Sequence, residues 1–261
     1  MRNLKRALSL ALAAIMLIGM MVVSASAASY NDLTDKDQIV NKDAVSMLVS
    51  LGIIEGKPDG SYAPTENVDR AQMAKMLSVI MNKGVDNSAL YQSVNSGLTD
   101  ITSHWAKGHI NYCYTTGIIA GRGTGTFDPS ATVTALEAAK MLLVAVGYDP
   151  AIEGFEGADW AINVSVRADE QGIFEGFTKD LSAPLNRDDA ALLIYNALDV
   201  EMIQSYTTNN YPIVYSDHRT ILSDKYGVIK VEGVVTANEW AILDDDTDTA
   251  LQEGKTRIYN P

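Results

Sequence analysis

The glycine segment Gly52-Ile53-Ile54-Glu55-Gly56 recurs further along the chain as Gly117-Ile118-Ile119-Ala120-Gly121, and this repetition sets the fold. A third version, Gly172-Ile173-Phe174-Glu175-Gly176, follows at a somewhat shorter spacing. Upstream of these glycines, Leu33-Thr34-Asp35 recurs as Leu98-Thr99-Asp100, with the same offset as the first two glycine segments. Separate segments that share one register indicate an internal repeat, and every motif has to be interpreted within it.

Each copy has the pattern of two helices joined by a tight loop. In the first copy, apolar residues at helical spacing between Ile39 and Leu51 predict an amphipathic helix. Gly52 suits the left-handed end of that helix, and Pro58-Asp59-Gly60 supplies turn residues. Capping-box spacing opens the second helix of two copies: Asp69 with Gln72, and Thr134 with Glu137. One such unit cannot bury both of its faces, so we expect three copies to pack around a common axis.

The segment 1–27 has the features of a secretory signal peptide. Arg2, Lys5 and Arg6 precede an apolar stretch over residues 7–23, and Ala25-Ser26-Ala27 supplies the small residues of a cleavage site. The alternative is an uncleaved membrane anchor, because the apolar stretch approaches the length of a spanning helix. The small residues favour cleavage, and we predict an exported protein.

The fold class predicted for the rest of the chain is mainly α, with a small β-rich module at the C-terminus. We place the three helix–loop–helix repeats at residues 28–95, 96–148 and 149–204, and the module at 205–261. Three runs rich in β-branched and aromatic residues predict its strands: Tyr211–Tyr215, Thr220–Leu222 and Val228–Val235. We expect this module to be the first part of a longer one.

The composition excludes several classes of partner. The chain has 20 basic and 33 acidic residues and a net charge of −13, and loss of the basic signal peptide would deepen that charge to −16. An acidic excess argues against nucleic acid and against an anionic membrane surface. The single cysteine, Cys113, excludes an intramolecular disulfide, and three histidines leave little for a metal site. We predict neither a metal nor a cofactor.

No segment carries a recognisable catalytic motif. The glycine-rich run over residues 121–125 lacks the Lys-Ser/Thr of a phosphate-binding loop and aligns with the turn over 56–60. The acidic run over residues 244–248 lacks the central Gly and the Glu of a calcium loop, which favours a solvated turn. We therefore predict that this chain is not an enzyme.

The combined repeat pattern resembles the S-layer homology family of bacterial surface proteins. The second copy carries the most complete set of matching segments: Leu98-Thr99-Asp100, His104-Trp105-Ala106, Gly117-Ile118-Ile119-Ala120-Gly121, Phe127-Asp128-Pro129 and Thr134-Ala135-Leu136-Glu137. The resemblance implies a pseudo-threefold helical bundle, secretion, and a place at the bacterial cell wall or in its surface layer. It also implies non-covalent binding of a peptidoglycan-linked polysaccharide whose terminal sugar can carry a pyruvate ketal.

The resemblance further implies ligand grooves between adjacent repeats, formed by the arginine of one motif with the aspartate and tryptophan of a repeat start. On this sequence the carbohydrate-binding candidates are Arg70, Arg187, Trp105, Trp160, Asp100 and Asp35. Both arginines directly follow a helix cap, where a guanidinium, free backbone amides and a positive helix end would suit a carboxylate. The tryptophans offer flat faces for a sugar ring.

Each candidate also has a purely structural interpretation. The tryptophans could anchor the core, the aspartates could cap the following segment, and the arginines could be solvated first-turn residues. All three copies depart from the family pattern: Ala135 replaces the arginine of the second, Val40 replaces the tryptophan of the first, and the third has Asn186-Arg187-Asp188-Asp189 with no clear Asp-Val start. We therefore expect one or two working grooves. Alanine at Arg70 or Arg187 should weaken glycan binding with little loss of stability.

Three hypotheses for the function remain open at this point. The first is a secreted module that anchors a protein to cell-wall polysaccharide without catalysing a reaction. The second is an exported cell-wall or polysaccharide enzyme whose catalytic part is missing or lies in the tail. The third is a structural subunit of a surface layer that associates with copies of itself.

Overall fold

The computed structural model describes residues 29–207, 213–231, 233–238, 251–252 and 255–259. The predicted signal peptide and the acidic run over 244–248 lie outside these residues. The helices of the described part are α1 (Lys42–Ser50), α2 (Arg70–Met81), α3 (Lys107–Thr115), α4 (Ala135–Val146), α5 (Trp160–Glu170), α6 (Arg187–Leu198) and α7 (Ile221–Tyr226). Short 3-10 helices cover Tyr30–Asp32, Lys36–Gln38 and Ser88–Tyr91.

Four strands form two separate antiparallel pairs in the described part of the chain. The first pair joins β1 (Glu201–Tyr206) to β2 (Ile213–Thr220), and the second joins β3 (Val234–Ala237) to β4 (Arg257–Tyr259). The architecture is therefore mainly helical with a small β part near the C-terminus, as predicted. Within the described residues, no helix has both the length and the hydropathy that a membrane crossing requires.

The helix ends follow the local signals of the sequence. Gly52, Gly117 and Gly172 come just after α1, α3 and α5, with φ angles of 70°, 80° and 69°. Both predicted capping boxes are present at the starts of α2 and α4. At α6 the Asn186 side chain accepts a hydrogen bond from the amide of Asp189, without the reciprocal bond. The predicted helix–glycine–turn–helix order is confirmed for these elements.

A closed ring of backbone hydrogen bonds joins the segments that lead into α2, α4 and α6. The amide of Val68 donates to the carbonyl of Leu185, that of Leu185 to Val133, and that of Val133 back to Val68, over 2.7–2.9 Å. All three side chains are buried. The ring brings the three helix starts together at one point.

The first-turn amides of the same helices also donate hydrogen bonds to acceptors in another unit. Such amides have no acceptor within their own helix and need one elsewhere. In α2, Arg70 and Ala71 donate to the carbonyls of Ala131 and Pro129, each at 2.9 Å. Equivalent bonds run from Leu136 to Leu181, from Arg187 to Glu66 and from Asp188 to Pro64. Each of these helices is thus completed by a loop that belongs to another unit.

One turn of the tail that packs onto the repeat helices is the helix α7, where the sequence predicted a strand. The predicted strand over Thr220–Leu222 is wrong beyond Thr220, because Thr220 and Ser223 form a capping box that starts a helix. Ile221 and Leu222 are buried in the same core as the repeat helices. The hydroxyl of Tyr226 donates to the carbonyl of Ile80 in α2. Burial of this apolar turn outweighs the strand preference of its residues.

The other two predicted strands are confirmed in part. Strand β2 begins at Ile213, and residues 211 and 212 lie outside the described part of the chain. Among the described residues of the run Val228–Val235, those from Val234 onwards are in a strand, while residues 228–231 have no regular structure. Strand β1 begins at Glu201, slightly before the module boundary that we placed at 205.

Gly108 provides a test of how closely α3 packs on the preceding 3-10 helix. A β-carbon on Gly108 would lie 2.1 Å from the carbonyl oxygen of Ser88, so Gly108→Ala requires backbone displacement. We expect a loss of about 3 kcal/mol in the free energy of unfolding by urea denaturation. Gly123→Ala is the control, because Gly123 has φ +79° and open space around it. It should cost only about 1 kcal/mol, and equal losses would contradict the close packing.

Candidate functional site

Two grooves of related composition lie beside the arginines of α2 and α6. Groove A is a cavity of about 280 Å³ whose polar and aromatic lining is Glu55, Lys57, Tyr62, Gln72, Lys75, Trp105 and Arg187. Groove B is a cavity of about 520 Å³ whose polar and aromatic lining is Arg70, Arg122, Glu137, Lys140, Phe155, Glu156 and Trp160, and Ala120 also lines it. The structure therefore brings Arg187 together with Trp105, and Arg70 together with Trp160.

Each groove combines residues from three parts of the chain. In groove A the loop after α1 and the helix α2 form one wall, while Trp105 precedes α3 and Arg187 begins α6. In groove B the loop after α3 and the helix α4 form that wall, while Trp160 begins α5 and Arg70 begins α2. The grooves therefore exist only when the units are assembled.

Arg187 is held at three points in groove A. Its Nε donates to the carbonyl of Tyr62 at 2.7 Å, and its Nη2 donates to the carbonyl of Glu55 at 3.2 Å. The guanidinium carbon lies 4.7 Å from the centre of the Tyr62 ring, a cation–π contact. Among the described residues, none accepts a hydrogen bond from Nη1. The guanidinium is oriented by the protein and keeps donor capacity for a ligand.

Arg70 repeats this arrangement in groove B but is more deeply buried. Its Nε and Nη2 donate to the carbonyls of Phe127 and Ala120, each at 2.9 Å, and its guanidinium carbon lies 4.4 Å from the centre of the Phe127 ring. The residue is only 4% exposed. Burial, together with the nearby Arg122, lowers the pKa of Arg70 to about 10, so it is still charged at neutral pH.

These positions change the interpretation of both arginines. The solvated alternative is wrong for Arg70, and Arg187 is half-buried. The expected free amides are also absent at these two helix starts, because the amides of both residues donate to loop carbonyls. Alanine at Arg70 would leave two carbonyls without their donor, so we now expect it to lower stability as well as binding.

The two tryptophans differ in exposure. Trp105 is 56% exposed, so its interpretation as a core anchor is wrong. Its ring lies 6.3 Å from the ring of buried His109, whose Nδ1 is 2.6 Å from the hydroxyl of Ser78. Trp160 is half-buried and packs partly against the core, with Lys140 Nζ 5.7 Å from its ring centre. Trp105 thus offers the more accessible face.

Asp35 and Asp100 do not line the two grooves; they bind the backbone of the loops behind them. The carboxylate of Asp35 accepts from the amides of Tyr62 and Ala63, each at 2.7 Å. Asp35 makes no side-chain cap bond, so its interpretation as a helix cap is wrong. Ala63 has φ +56°, a strained angle for a residue other than glycine, and the two bonds help to hold it.

Asp100 repeats this contact in the second unit. Its carboxylate accepts from the amides of Phe127 and Asp128, the latter at 2.7 Å, and Asp128 has φ +61°. Since Tyr62 and Phe127 present their carbonyls and rings to the arginines, the aspartates position the arginines indirectly. The structure assigns them to the support of the site.

The lysines of the grooves were not predicted from the sequence. Lys75 and Lys140 occupy the same position of α2 and α4 and line grooves A and B respectively. Their spacing, which equals that of the two glycine segments, is the signal that could have identified them. At the corresponding position α6 has Leu192 in place of a lysine. The third set of equivalent positions therefore lacks the lysine as well as the arginine, which is replaced by Ala135, and the tryptophan, which is replaced by Val40.

The same three kinds of side chain occur in both grooves. Each contains an oriented guanidinium, a lysine and an indole face within one cavity. In the described part of the chain, no group of three or more His, Cys, Asp or Glu side chains is arranged to hold a metal ion.

Asp100 yields a prediction about acid stability. Burial alone would raise its pKa, but hydrogen bonds from the amides of Phe127 and Asp128 outweigh that effect, so its pKa is below the usual value. The stabilisation is therefore present above the unfolded-state pKa of about 3.9 and is lost as pH falls through the lower folded-state pKa. We expect Asp100→Ala to lose about 1–2 kcal/mol at pH 7, measured by urea denaturation.

The control for this prediction is Asp159→Ala, because Asp159 is exposed and makes no side-chain cap bond. It should unfold like the wild type at pH 7. The difference between Asp100→Ala and the wild type should shrink as the pH is lowered from 5 to 2. A difference that does not change with pH would contradict the assignment of the carboxylate to the loop amides.

The fold and the site define a class: a helical repeat protein with grooves between its units. The sequence model of the S-layer homology domain matches residues 29–74 and 97–139. The resemblance to that family is confirmed over these two segments. The third copy, over residues 149–204, lies outside the matched ranges.

Three relatives illustrate where such sequences occur. A cell surface protein of Thermoanaerobacter kivui is 26% identical over 100% of this chain and 31% of its own length. An S-layer protein of Bacillus licheniformis is 32% identical over 43% of this chain and 12% of its own length. An amylopullulanase of Thermoanaerobacterium thermosulfurigenes is 30% identical over 66% of this chain and 10% of its own length.

This chain thus spans no more than about a third of these relatives, and it is placed among bacterial cell-wall and cell-surface proteins. The first relatives are surface and S-layer proteins rather than enzymes. Where a relative is an enzyme, its match to this chain is confined to a small part of its length.

Proposed function

We propose that the chain anchors an exported protein to the bacterial cell wall by binding a peptidoglycan-linked polysaccharide in grooves A and B. The polysaccharide is acidic, with a terminal sugar that carries a carboxylate such as a pyruvate ketal. One observation carries the proposal: Arg187, Lys75 and exposed Trp105 come from three different units and converge on one cavity.

The charges of groove A support an anionic ligand despite the net charge of −13. Arg187 keeps donor capacity on Nη1, and a guanidinium binds a carboxylate through short, charge-assisted hydrogen bonds. Lys75 adds a second positive charge on the same wall, and its ion-pair partner Glu55 is 3.8 Å away with a 70% exposed side chain. Such an exposed pair contributes little, so the lysine is available to a ligand.

We also propose that residues 149–204 form a third repeat and that the three units assemble around a pseudo-threefold axis. The closed ring of Val68, Val133 and Leu185 supports this arrangement, because each residue occupies the same place in its unit and makes the same bond. The cyclic order of the helix-start bonds supports it as well. The third interface would lack the arginine, the lysine and the tryptophan of the other two.

A second candidate function is that of a structural surface-layer subunit, which the similarity to an S-layer protein favours. In that case the same grooves anchor a protein that also associates with copies of itself. The enzyme hypothesis rests on relatives such as the amylopullulanase and places the reaction outside the repeats. Ordered sheets in the electron microscope would support the surface-layer candidate.

The anchoring proposal is tested by sedimentation of the full chain with purified cell-wall sacculi, before and after the polysaccharide is extracted. We expect the protein to sediment with intact sacculi and to remain in solution after extraction. Sedimentation that does not depend on extraction would contradict polysaccharide binding.

A matched pair of variants tests groove A in the same experiment. Trp105→Ala removes the exposed indole, and we expect a loss of affinity of roughly two- to tenfold, since contact with an aromatic face is worth about 0.5–1.5 kcal/mol. Val40→Ala is the control, because Val40 occupies the corresponding place in the first unit and is 82% exposed. Both variants should keep the wild-type melting temperature. Equal affinity for the two variants would exclude groove A as the binding site.

A further inference from the structure

We propose that the two grooves differ in ligand class: groove A binds a carboxylate-bearing sugar, whereas in groove B the side chain of Glu137 occupies the place of that carboxylate, so that groove B takes an uncharged sugar. Gln72 and Glu137 are then the specificity-determining residues. This inference rests on the proposed function and concerns which groove receives the anionic group.

Gln72 and Glu137 have the same structural role in their helices. The Oε1 atom of Gln72 accepts from the amide of Asp69 at 3.2 Å, and the Oε2 atom of Glu137 accepts from the amide of Thr134 at 3.1 Å. Each completes a capping box and each lines its groove. The two positions therefore differ in charge but not in backbone function.

In groove B the second carboxylate oxygen of Glu137 faces the cations of the site. Its Oε1 lies 2.9 Å from Arg122 Nη1 and 4.0 Å from Arg70 Nη1. The Glu137 side chain is only 18% exposed, so solvent screens these contacts less than it screens surface ion pairs. The one guanidinium nitrogen of Arg70 that does not bind a carbonyl thus faces a carboxylate of the protein itself.

Groove A has no carboxylate at this place. Gln72 is uncharged, and the Nη1 atom of Arg187 donates to no acceptor among the described residues. Glu55 lines the groove, but its side chain is largely exposed, and at the same position groove B has Ala120. A ligand carboxylate can therefore reach Arg187 without displacing an ion-pair partner.

A ligand carboxylate in groove B would meet a different situation. It would have to displace Glu137 from Arg122 and Arg70, or lie beside a like charge in a partly desolvated cavity. Like charges at short range are unfavourable, and specificity is set as much by such repulsion as by attraction. The wider cavity, the Trp160 face and the two carboxylates of Glu137 and Glu156 suit a sugar without a charge.

The test exchanges the two residues, since glutamine and glutamate both complete the capping box in this protein. The probes are a methyl glycoside that carries a pyruvate ketal and the same glycoside without the ketal. Calorimetric titration of the full chain should show one site for the ketal glycoside in the wild type. Gln72→Glu should weaken that site at least tenfold, and Glu137→Gln should add a second ketal site.

Added variants assign the sites to their grooves. Trp160→Phe should remove the second site of Glu137→Gln and leave the first, while Trp105→Phe should do the reverse. Melting temperatures close to that of the wild type confirm that the exchanged variants are folded. Should Gln72→Glu unfold, Glu137→Gln still decides the question by its stoichiometry.

The outcomes separate this inference from the function on which it rests. A wild type that binds neither glycoside nor sacculi overturns the proposed function, and the inference falls with it. A wild type that binds sacculi and the ketal glycoside, with two sites or with no response to either exchange, overturns the inference alone.

Discussion

The structure depends on the backbone amides at the starts of α2, α4 and α6. Amides in a first turn have no acceptor within their helix, and leaving them buried without one is costly. Here the loop of another unit supplies the acceptor for each of these helices. The same units contribute the carbonyls of Glu55 and Ala120, which orient Arg187 and Arg70. One hydrogen-bonding requirement thus assembles the units and creates the grooves between them.

The electrostatics of the site are local. A chain with a net charge of −13 presents an unfavourable field to an anion, yet each groove gathers an arginine and a lysine on a cavity wall. The arginines remain in place because each lies on an aromatic ring and donates to two carbonyls, so little orientational freedom is left for a ligand to restrict. Whether such a site accepts an anion is decided by the remaining carboxylates within a few ångströms, not by the sum over the chain.

The tail shows how tertiary packing overrides local preference. Thr220, Ile221 and Leu222 have strand-forming side chains, but the apolar pair belongs to the common core and the turn that carries it is helical. Tyr226 of the same turn binds the carbonyl of Ile80, and Tyr206 of β1 donates to Glu153 near α5. The segments after α6 therefore contribute to the packing of the repeats.

Features that depend on short-range geometry could be predicted from the sequence, whereas the roles of the site residues could not. The helices could be placed because their signals act within a few residues of the chain. These signals are the periodic apolar residues, the glycines after α1, α3 and α5, and the capping pairs of α2 and α4. The repeat register, together with the family resemblance, also identified the arginines and tryptophans. Aligning the copies also shows that one set of equivalent positions lacks the arginine, the lysine and the tryptophan.

What those residues do emerged only from the assembled units, because the groups that meet in a groove are distant in the chain. Arg187 and Glu55, for example, are 132 positions apart. Asp35 and Asp100 hold loops rather than line grooves, Arg70 is buried, and Glu137 places a negative charge beside a guanidinium whereas the equivalent Gln72 is uncharged. None of these contacts follows from spacing, since each depends on how one unit closes against the next. The packing of one unit against the next determines how deeply each side chain is buried and how far apart the charges lie. Those two quantities set the chemistry of the site.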